Sequence, residues 1–282
     1  NIDVLLVGMS GVEKQNNIRD IFEHFLQNLP DGFVVATSGG ISSAALLASA
    51  VAVNKKPKVI SFTFDDFEST DFILAKAMAH HFNVAFFPVY LPSDKNKINN
   101  CVSTLIHKYK LRKKARIECS FPFLYVAETL KSIGITTLVT GLCDDGHFGL
   151  SKKAMIHYKH TQVKFDQFRH EYFADPDAAG RKGIHKICQD FNVDIFNPYC
   201  HPSVFKLYIG KSWDELNRPK QKYAIRKHFP ELEQFKLPNH TNLQLGDSKI
   251  AQRVGNAVIS KYKPYAKSPV GIYNRIAKGI YA

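Results

Sequence analysis

Serine and glycine residues at positions 38–43 form the stretch best suited to hold a phosphate group. Residues 33–45 read FVVATSGGISSAA, an apolar β-branched run followed by two glycines and then by small residues that favour a helix. Paired glycines let the backbone approach a ligand, and free N–H groups at a helix start, with serine hydroxyls, attract an anion. The stretch predicts a phosphate or pyrophosphate cradle. It lacks the Gly-Lys-Ser/Thr of a Walker loop, and an ordinary strand-to-helix turn fits the same residues.

Two adjacent carboxylates form a second candidate for chemistry. Asp144 and Asp145 follow the apolar run TTLVT at 136–140, within the sequence GLCDDG. Carboxylates at the end of a strand, beside glycine, suit a magnesium ion that bridges phosphates. A turn in which the aspartates cap a helix is the structural alternative.

The elements that must position these residues alternate along the first half of the chain. Apolar periodicity predicts strand-like runs at 2–9, 33–35, 58–64, 84–90 and 136–140, and helices at 17–29, 70–82, 121–134 and 219–229. Alternating strands and helices indicate a parallel sheet covered on both faces, with ligands beyond the carboxyl ends of the strands. After residue 150 helices dominate, so we expect an α/β protein with a helical C-terminal extension.

Composition narrows the class of protein. The 282 residues are 45% hydrophobic, enough for one large α/β domain with or without an extension, and the net charge is +13. That charge favours a polyanionic partner such as nucleic acid, and a basic enzyme that binds ATP fits equally well. Five cysteines without a CxxC pair indicate a reducing, cytoplasmic location without disulfides or a zinc site. No apolar run is long enough to span a membrane.

The order of motifs resembles one known family. SGGISS is similar to the SGGxDS loop of the N-type ATP pyrophosphatases, or PP-loop enzymes, which cleave ATP to AMP and pyrophosphate. TGLCDDGHFG is similar to the TGxGADExFGG of asparagine synthetases and the related β-lactam synthetases. ISFTFDD, DIFNPYCHP and the KYAIR segment at 222–226 follow the order of further motifs of their synthetase domain. The resemblance covers roughly residues 17–240.

This resemblance implies a fold and a set of roles. The fold is a doubly wound, mainly parallel five-stranded sheet of the adenine nucleotide α-hydrolase type. We expect a short segment at 1–16, an ATP-binding core at 17–150 and a helical part at 151–282 that completes the substrate site. Lys222 matches a cation that stabilises charge on the α-phosphate or on the tetrahedral intermediate, and Asp194 matches a glutamate of the family. With Asp145, these are the expected catalytic residues. The remaining expected ligands are Ala36, Phe64 and Gly141 for the nucleoside, Ser38, Gly39, Gly40, Ser42 and Ser43 for the phosphates, and Asp145 with Asp144 for magnesium.

Several positions depart from the family pattern. Ser42 replaces a magnesium-binding aspartate, Gly146 replaces a glutamate, Cys143 replaces a glycine and His201 replaces an aspartate. These changes predict weaker metal binding and a substrate other than aspartate. We also expect no glutamine-hydrolysing domain within these 282 residues, so the amine is free ammonia, ammonia from a separate glutaminase, or a larger amine.

Three functions fit these features. The first is an AMP-forming amide or C–N ligase that uses ATP and Mg²⁺ to adenylate a carboxylate and transfer it to an amine. The second is a PP-loop enzyme that modifies a tRNA or DNA base, which the basic charge favours. The third is a catalytically weak nucleotide-binding homologue, which Ser42 and Gly146 make plausible.

Overall fold

A five-stranded parallel sheet forms the centre of the protein. The computed structural model describes residues 16–241, 243, 245–263 and 268–280, so the strand predicted at 2–9 lies outside the described residues. The sheet has the order β3-β2-β1-β4-β5, and every neighbouring pair is parallel. The strands are β1 (Val34–Ala36), β2 (Lys58–Phe64), β3 (Phe86–Leu91), β4 (Thr137–Val139) and β5 (Asp194–Phe196). The expected α/β fold is confirmed.

Helices cover both faces of this sheet. In chain order they are α1 (Ile18–Gln27), α2 (Ile41–Ala52), α3 (Thr70–His81), α4 (Lys95–His107), α5 (Lys114–Ser132), α6 (Asp144–Phe148), α7 (Lys152–His157), α8 (Gln162–Ala174), α9 (Arg181–Asp190), α10 (Pro202–Tyr208), α11 (Trp213–Asn217), α12 (Tyr223–Arg226), α13 (Ile250–Tyr262) and α14 (Pro269–Ala277). Short 3₁₀ turns lie at Ala178–Gly180, Pro198–Cys200 and Pro230–Phe235.

Two hydrophobic clusters hold the layers together. One packs α1, α2 and α3, with α6 to α8 and α10 to α12, against one side of the sheet. The other packs α4, α5, α9, α13 and α14 against the opposite side. Burial of apolar area on both sides provides the main stabilisation and places the ends of β1 and β4 next to each other.

Local signals explain where the early helices begin. Asn17 caps α1 by accepting a hydrogen bond from the amide of Asp20, and Ser69 caps α3 through the amide of Phe72. In α1 every third or fourth residue is apolar and buried, as the predicted periodicity requires.

Two predicted helices differ from those observed. Helix α5 begins at Lys114, seven residues before the predicted start, and contains Pro122 in its interior. The helix predicted at 219–229 is reduced to the single turn of α12, because Lys222 has a left-handed backbone (φ +56°) that ends helical geometry there. Strand β5 comes from the part of the chain predicted to be the extension, and the domain division stays a prediction.

The described helices also bear on membrane association. None of them combines the length and the apolar character needed to cross a bilayer.

Candidate functional site

The turn after β1, residues 37–43, is called here the cradle loop. Gly39 has φ +70°, and a Cβ there would lie 3.0 Å from the Cβ of Leu74 and 3.1 Å from the backbone of Asp71. Gly40 then precedes the first turn of α2. The Ser43 hydroxyl accepts from the amide of Ser38 at 3.2 Å and donates to the carbonyl of Gly40 at 3.2 Å. The loop is thus shaped by glycine geometry and by its own serine.

The turn after β4, residues 140–149, is called the carboxylate turn. Cys143 has a left-handed backbone with φ +76°, and the one-and-a-half turns of α6 start directly after it at Asp144. A Cβ at Gly146 would lie 2.3 Å from the ring of Tyr172 on α8, so the tyrosine occupies the space of a side chain at this position. A Cβ at Gly149 would lie 2.4 Å from the ring of Phe165, which is also on α8. Aromatic residues from a distant helix therefore shape this turn.

Lys222 connects the two turns. Its left-handed backbone is held by a 3.1 Å hydrogen bond from its amide to the side-chain oxygen of Asn217. Its buried amino group contacts the Asp144 carboxylate and lies 3.2 Å from the hydroxyl of Ser42 and 3.5 Å from Asp145. Ser42 in turn donates to Asp144. One hydroxyl, one ammonium and two carboxylates thus meet between β1 and β4.

The two carboxylates of this cluster have different electrostatics. Burial alone opposes ionisation of Asp144, but Lys222 outweighs it and lowers the pKa of this group below its usual value. Burial and the neighbouring Asp144 raise the pKa of Asp145. Burial also opposes the charge on Lys222, yet the facing carboxylates raise the pKa of its amino group. The site therefore keeps a buried ion pair beside a carboxylate that accepts a proton more readily.

A histidine that the sequence analysis missed completes the cluster. The imidazole of His240 lies 3.3 Å from Asp145 and 3.4 Å from the amino group of Lys222. Its backbone amide bonds the side chain of Gln221 at 2.8 Å, and Arg226 bonds the carbonyls of residues 237 and 238. Residues 237–241, called the strap, therefore cross the site. No local sequence signal marks them, because their position depends on these long-range contacts.

The cluster borders a cavity of about 550 Å³. Ala36, Gly141 and the cradle loop line one part of it, and Ile60 and Phe62 of β2 extend its apolar wall. Residues of α5 and of the turn before α9 line another part. The cavity lies within the size range of small-molecule sites and combines an apolar surface with a few charged groups.

Comparison with known proteins agrees with this geometry. Residues 33–235, well over half of the chain, match the family described as asparagine synthase. The chain belongs to the asparagine synthase family. The family places it among the ATP-dependent synthetases and ligases of the PP-loop class. The resemblance inferred from the motifs is confirmed.

Two further comparisons add little about function. The NMN synthetase from Francisella tularensis aligns with 10% identity over 89% of this chain and 97% of that structure, with a TM-score of 0.34. Similarity at that level carries no argument about substrate or mechanism. No curated protein sequence matches the chain.

Most of the site residues predicted from the family motifs come together, and two do not. The structure places Ser38, Gly40, Ser42, Ser43, Ala36, Gly141, Asp144, Asp145 and Lys222 on the cavity. Gly39 forms the bend of the cradle loop beneath it. The assignment of these residues to ATP, metal and catalysis stays a prediction.

Phe64, predicted for the nucleoside site, does not line the cavity. Its side chain is 1% exposed, stacks with Phe121 at a centroid distance of 6.4 Å and lies under the guanidinium of Arg253. Because side chains alternate along a strand, Ile60, Phe62 and Phe64 share one face of β2, but Phe64 packs into the hydrophobic cluster and does not line the cavity. Ile60 and Phe62 of the same strand face the cavity instead.

Asp194 also lies apart from the cavity. It is the exposed first residue of β5, and its amide bonds the carbonyl of Thr136 before β4. In a parallel sheet the first residue of a strand lies at the edge opposite the carboxyl ends, so Asp194 is far from the cluster. Asn197, which follows β5, reaches the site edge and accepts a hydrogen bond from Thr140. His201 caps α10 through the amide of Ser203.

The cluster fits a magnesium ion held jointly with phosphates. No group of three or more His, Cys, Asp or Glu side chains capable of holding a metal occurs among the described residues. Magnesium is usually bound by one or two carboxylates together with substrate phosphates and water. Asp145 has a buried oxygen without a hydrogen-bond partner, which lies 3.5 Å from the amino group of Lys222 and 3.3 Å from the imidazole of His240. Such an oxygen suits a cation, so Asp144 and Asp145 are compatible with the expected ion.

Proposed function

We propose that the protein is an AMP-forming C–N ligase that adenylates a carboxylate and joins it to an amine. The observation that supports this most directly is Lys222, whose amino group contacts the cradle loop through Ser42 and the carboxylate turn through Asp144. A buried cation between a phosphate-binding loop and two carboxylates is suited to stabilise charge at the phosphorus atom between them.

The chemistry takes place in two displacements. A carboxylate oxygen of the substrate attacks the α-phosphorus of ATP, the bond to the β-phosphate oxygen breaks, and pyrophosphate leaves. An amine nitrogen then attacks the activated carbonyl carbon, AMP leaves with the electron pair of the broken C–O bond, and the nitrogen loses a proton.

The cradle loop has the properties needed to bind the β- and γ-phosphates. The free backbone N–H groups at the start of α2 point out of a loop whose glycines permit close approach. The Ser38 and Ser43 hydroxyls lie 3.5 Å apart at its mouth. Ala36 and Gly141 form a small, apolar surface for the nucleoside.

The two carboxylates are assigned to magnesium. Asp145 and Asp144 would hold the ion, which when bound offsets charge on the leaving pyrophosphate. Ser42 has no charge of its own, but its hydroxyl is fixed by Asp144. The Asp144 carboxylate therefore lies next to Ser42, the position at which the family pattern has an aspartate.

The departures that suggested a catalytically weak homologue have structural partners. Asp144 contacts Ser42, and the ring of Tyr172 fills the volume beside Gly146. Each change is matched by a neighbouring side chain, so we favour an active enzyme with an altered substrate site over a module that only binds nucleotide.

Two further proposals concern the amine donor and the cellular location. We propose that this chain takes ammonia from solution or from a separate glutaminase, or uses a larger amine. The chain has five cysteines and no CxxC pair, which fits a reducing compartment such as the cytoplasm.

The reaction is tested by product analysis. The purified chain is incubated with ATP, Mg²⁺, a set of candidate carboxylates and ammonium, and AMP, ADP and pyrophosphate are separated by chromatography. We expect AMP and pyrophosphate in equal amounts, and trapping of the acyl adenylate by hydroxylamine. Formation of ADP contradicts the proposal. Glutamine in place of ammonium should give no amide product with this chain alone.

A further inference from the structure

A basic surface lies beside the cavity, formed by two segments that pack on each other. The connector between α4 and α5 runs into the first turns of α5, and Leu111 in it packs against Gly183 of α9. Arg116 lies against Gly180 in the same way. We call this surface the basic wall; its cations are Lys108, Lys110, Arg112, Lys113, Lys114, Arg116, Arg181, Lys182 and Lys186.

Only part of this charge is neutralised within the protein. Ion pairs of 2.8 to 3.1 Å join three of the cations to carboxylates, namely Lys108 to Asp190, Lys114 to Glu118 and Arg116 to Asp177. Among the described residues, no ion pair to a carboxylate involves Lys110, Arg112, Lys113, Arg181, Lys182 or Lys186. All six except the half-buried Arg181 are exposed. Such an excess of one sign on one surface attracts a polyanion.

The basic wall is continuous with the cavity. Ala115, Arg116 and Cys119 of α5 line the cavity, as do Ala179 and Ile184 on the neighbouring segment. This wall belongs to the sheet face packed by α5 and α9, whereas the cradle loop leads into α2 on the other face. ATP phosphates held by the cradle loop would therefore leave the exposed lysines of the wall available for another anion.

The chemistry of the surface discriminates between classes of polyanion. Interfaces with proteins usually contain exposed aromatic or aliphatic anchors, and membrane surfaces require apolar side chains that insert between lipids. The large exposed hydrophobic residues of the described chain all lie outside 108–116 and 175–190. A surface of lysine and arginine without apolar anchors is suited to a phosphate backbone.

We propose that the basic wall binds the phosphate backbone of a nucleic acid, and that the group modified in the cavity is carried on that nucleic acid. The inference rests on the proposed ligase function for the chemistry, and on the wall alone for the binding. A substrate carried on a nucleic acid would account for both the amide-forming reaction and the net charge of +13.

Binding is tested first without ATP, so that the result does not depend on catalysis. Fluorescence anisotropy is measured with labelled tRNA, single-stranded RNA and duplex DNA, over a series of salt concentrations. The variant Lys113→Glu/Lys182→Glu/Lys186→Glu alters three exposed cations that do not line the cavity. The matched control, Lys56→Glu/Lys76→Glu/Lys164→Glu, places the same charge change on exposed residues away from the wall.

We expect the wall variant to bind roughly tenfold or more weakly than the wild type and the control. The slope of log affinity against log salt should fall by about 3, one for each lost phosphate contact. The nucleic acid bound most tightly identifies the source of the phosphate backbone. Thermal melting of both variants confirms that they are folded.

Several results overturn the inference. They are no binding of any nucleic acid by the wild type at low salt, equal weakening in both variants, or displacement of the nucleic acid by polyglutamate at the same charge concentration. The AMP assay is run in parallel with and without the bound nucleic acid. Binding without any AMP formation contradicts the ligase proposal, whereas AMP formation without binding contradicts the nucleic-acid proposal alone.

Discussion

The cradle loop and the carboxylate turn both line the cavity at the ends of neighbouring strands, yet their conformations have different origins. The cradle loop is built from glycine geometry and from hydrogen bonds within residues 38–43. The carboxylate turn has a left-handed Cys143 and is shaped by the rings of Tyr172 and Phe165, which belong to another helix. The first turn can thus be recognised from its own residues, whereas the second depends on packing that its residues do not specify.

The largest expected effect comes from the residue that joins the two turns. Lys222→Met keeps much of the side-chain volume but removes the cation, and loss of such a stabilising group costs about 10²–10³ in rate. The measurement is kcat/KM for AMP formation. Lys220→Met serves as the control, because Lys220 lies on the exposed surface in an ion pair with Glu233. Activity of Lys222→Met within threefold of the wild type contradicts the assigned role.

The second prediction tests whether the carboxylate turn replaces a charge missing from the cradle loop. Asp144→Ala should weaken magnesium binding in the presence of ATP by about 10–100-fold, the usual cost of losing a group that supports a metal site. The exchange variant Asp144→Ala/Ser42→Asp should recover most of that loss.

Mn²⁺ titration followed by electron paramagnetic resonance measures this affinity without relying on turnover. Ser42→Asp alone should strengthen metal binding relative to the wild type. Unchanged metal dependence in all three variants shows that position 42 and Asp144 do not share a metal function.

A glycine substitution in each turn tests whether the conformation of that turn depends on its own residues or on packing against a distant helix. Gly146→Ala places a methyl group against the Tyr172 ring, and overpacking of this kind costs about 1–3 kcal/mol in the free energy of unfolding. Gly40→Ala meets only the Ser38 hydroxyl at 3.5 Å and should cost about 0.5 kcal/mol. Urea unfolding measures both. In a Tyr172→Ala background the cost of Gly146→Ala should shrink, and equal costs in both backgrounds contradict the packing explanation.

A last prediction concerns acid stability behind the carboxylate turn. Burial lowers the pKa of His147 to about 4, and its imidazole bonds the carbonyl of Tyr199. In the unfolded chain this imidazole is protonated below about pH 6.5, whereas in the folded chain it stays neutral down to about pH 4. The free energy of unfolding therefore falls as the pH drops below about 6.5. Between pH 7 and pH 5 this contribution amounts to about 2 kcal/mol.

His147→Gln should reduce that loss, while the exposed His80→Gln should leave it unchanged. Burial and the nearby Asp247 raise the pKa of Asp71 to about 6, which acts in the opposite direction over the same pH range. The measured quantity is consequently the difference between variant and wild type at each pH. An identical pH dependence in wild type and His147→Gln contradicts a neutral buried imidazole.

The fold and the family could be predicted from the sequence, because local patterns of residues determine them. The parallel fold follows from alternating strands and helices, and the family from the order of motifs such as SGGISS and TGLCDDG. The positions of Asp194 and Phe64 could not be predicted, because a motif match does not state at which edge of the sheet a residue falls or whether its side chain packs into the core. His240 and Tyr172 could not be found at all, since distant contacts bring them to the site.

The dependence of the site on Lys222 has a consequence for synthesis on the ribosome. Lys222 lies 78 residues after Asp144, and His240 follows 18 residues later. At translation rates of 5–20 residues per second, the two aspartates leave the peptidyl-transferase centre roughly 4–16 s before their cation is made. Adjacent like charges resist burial until then. This edge of the sheet is thus one of the last parts of the nascent chain to become compact, and it does so only when the C-terminal third arrives.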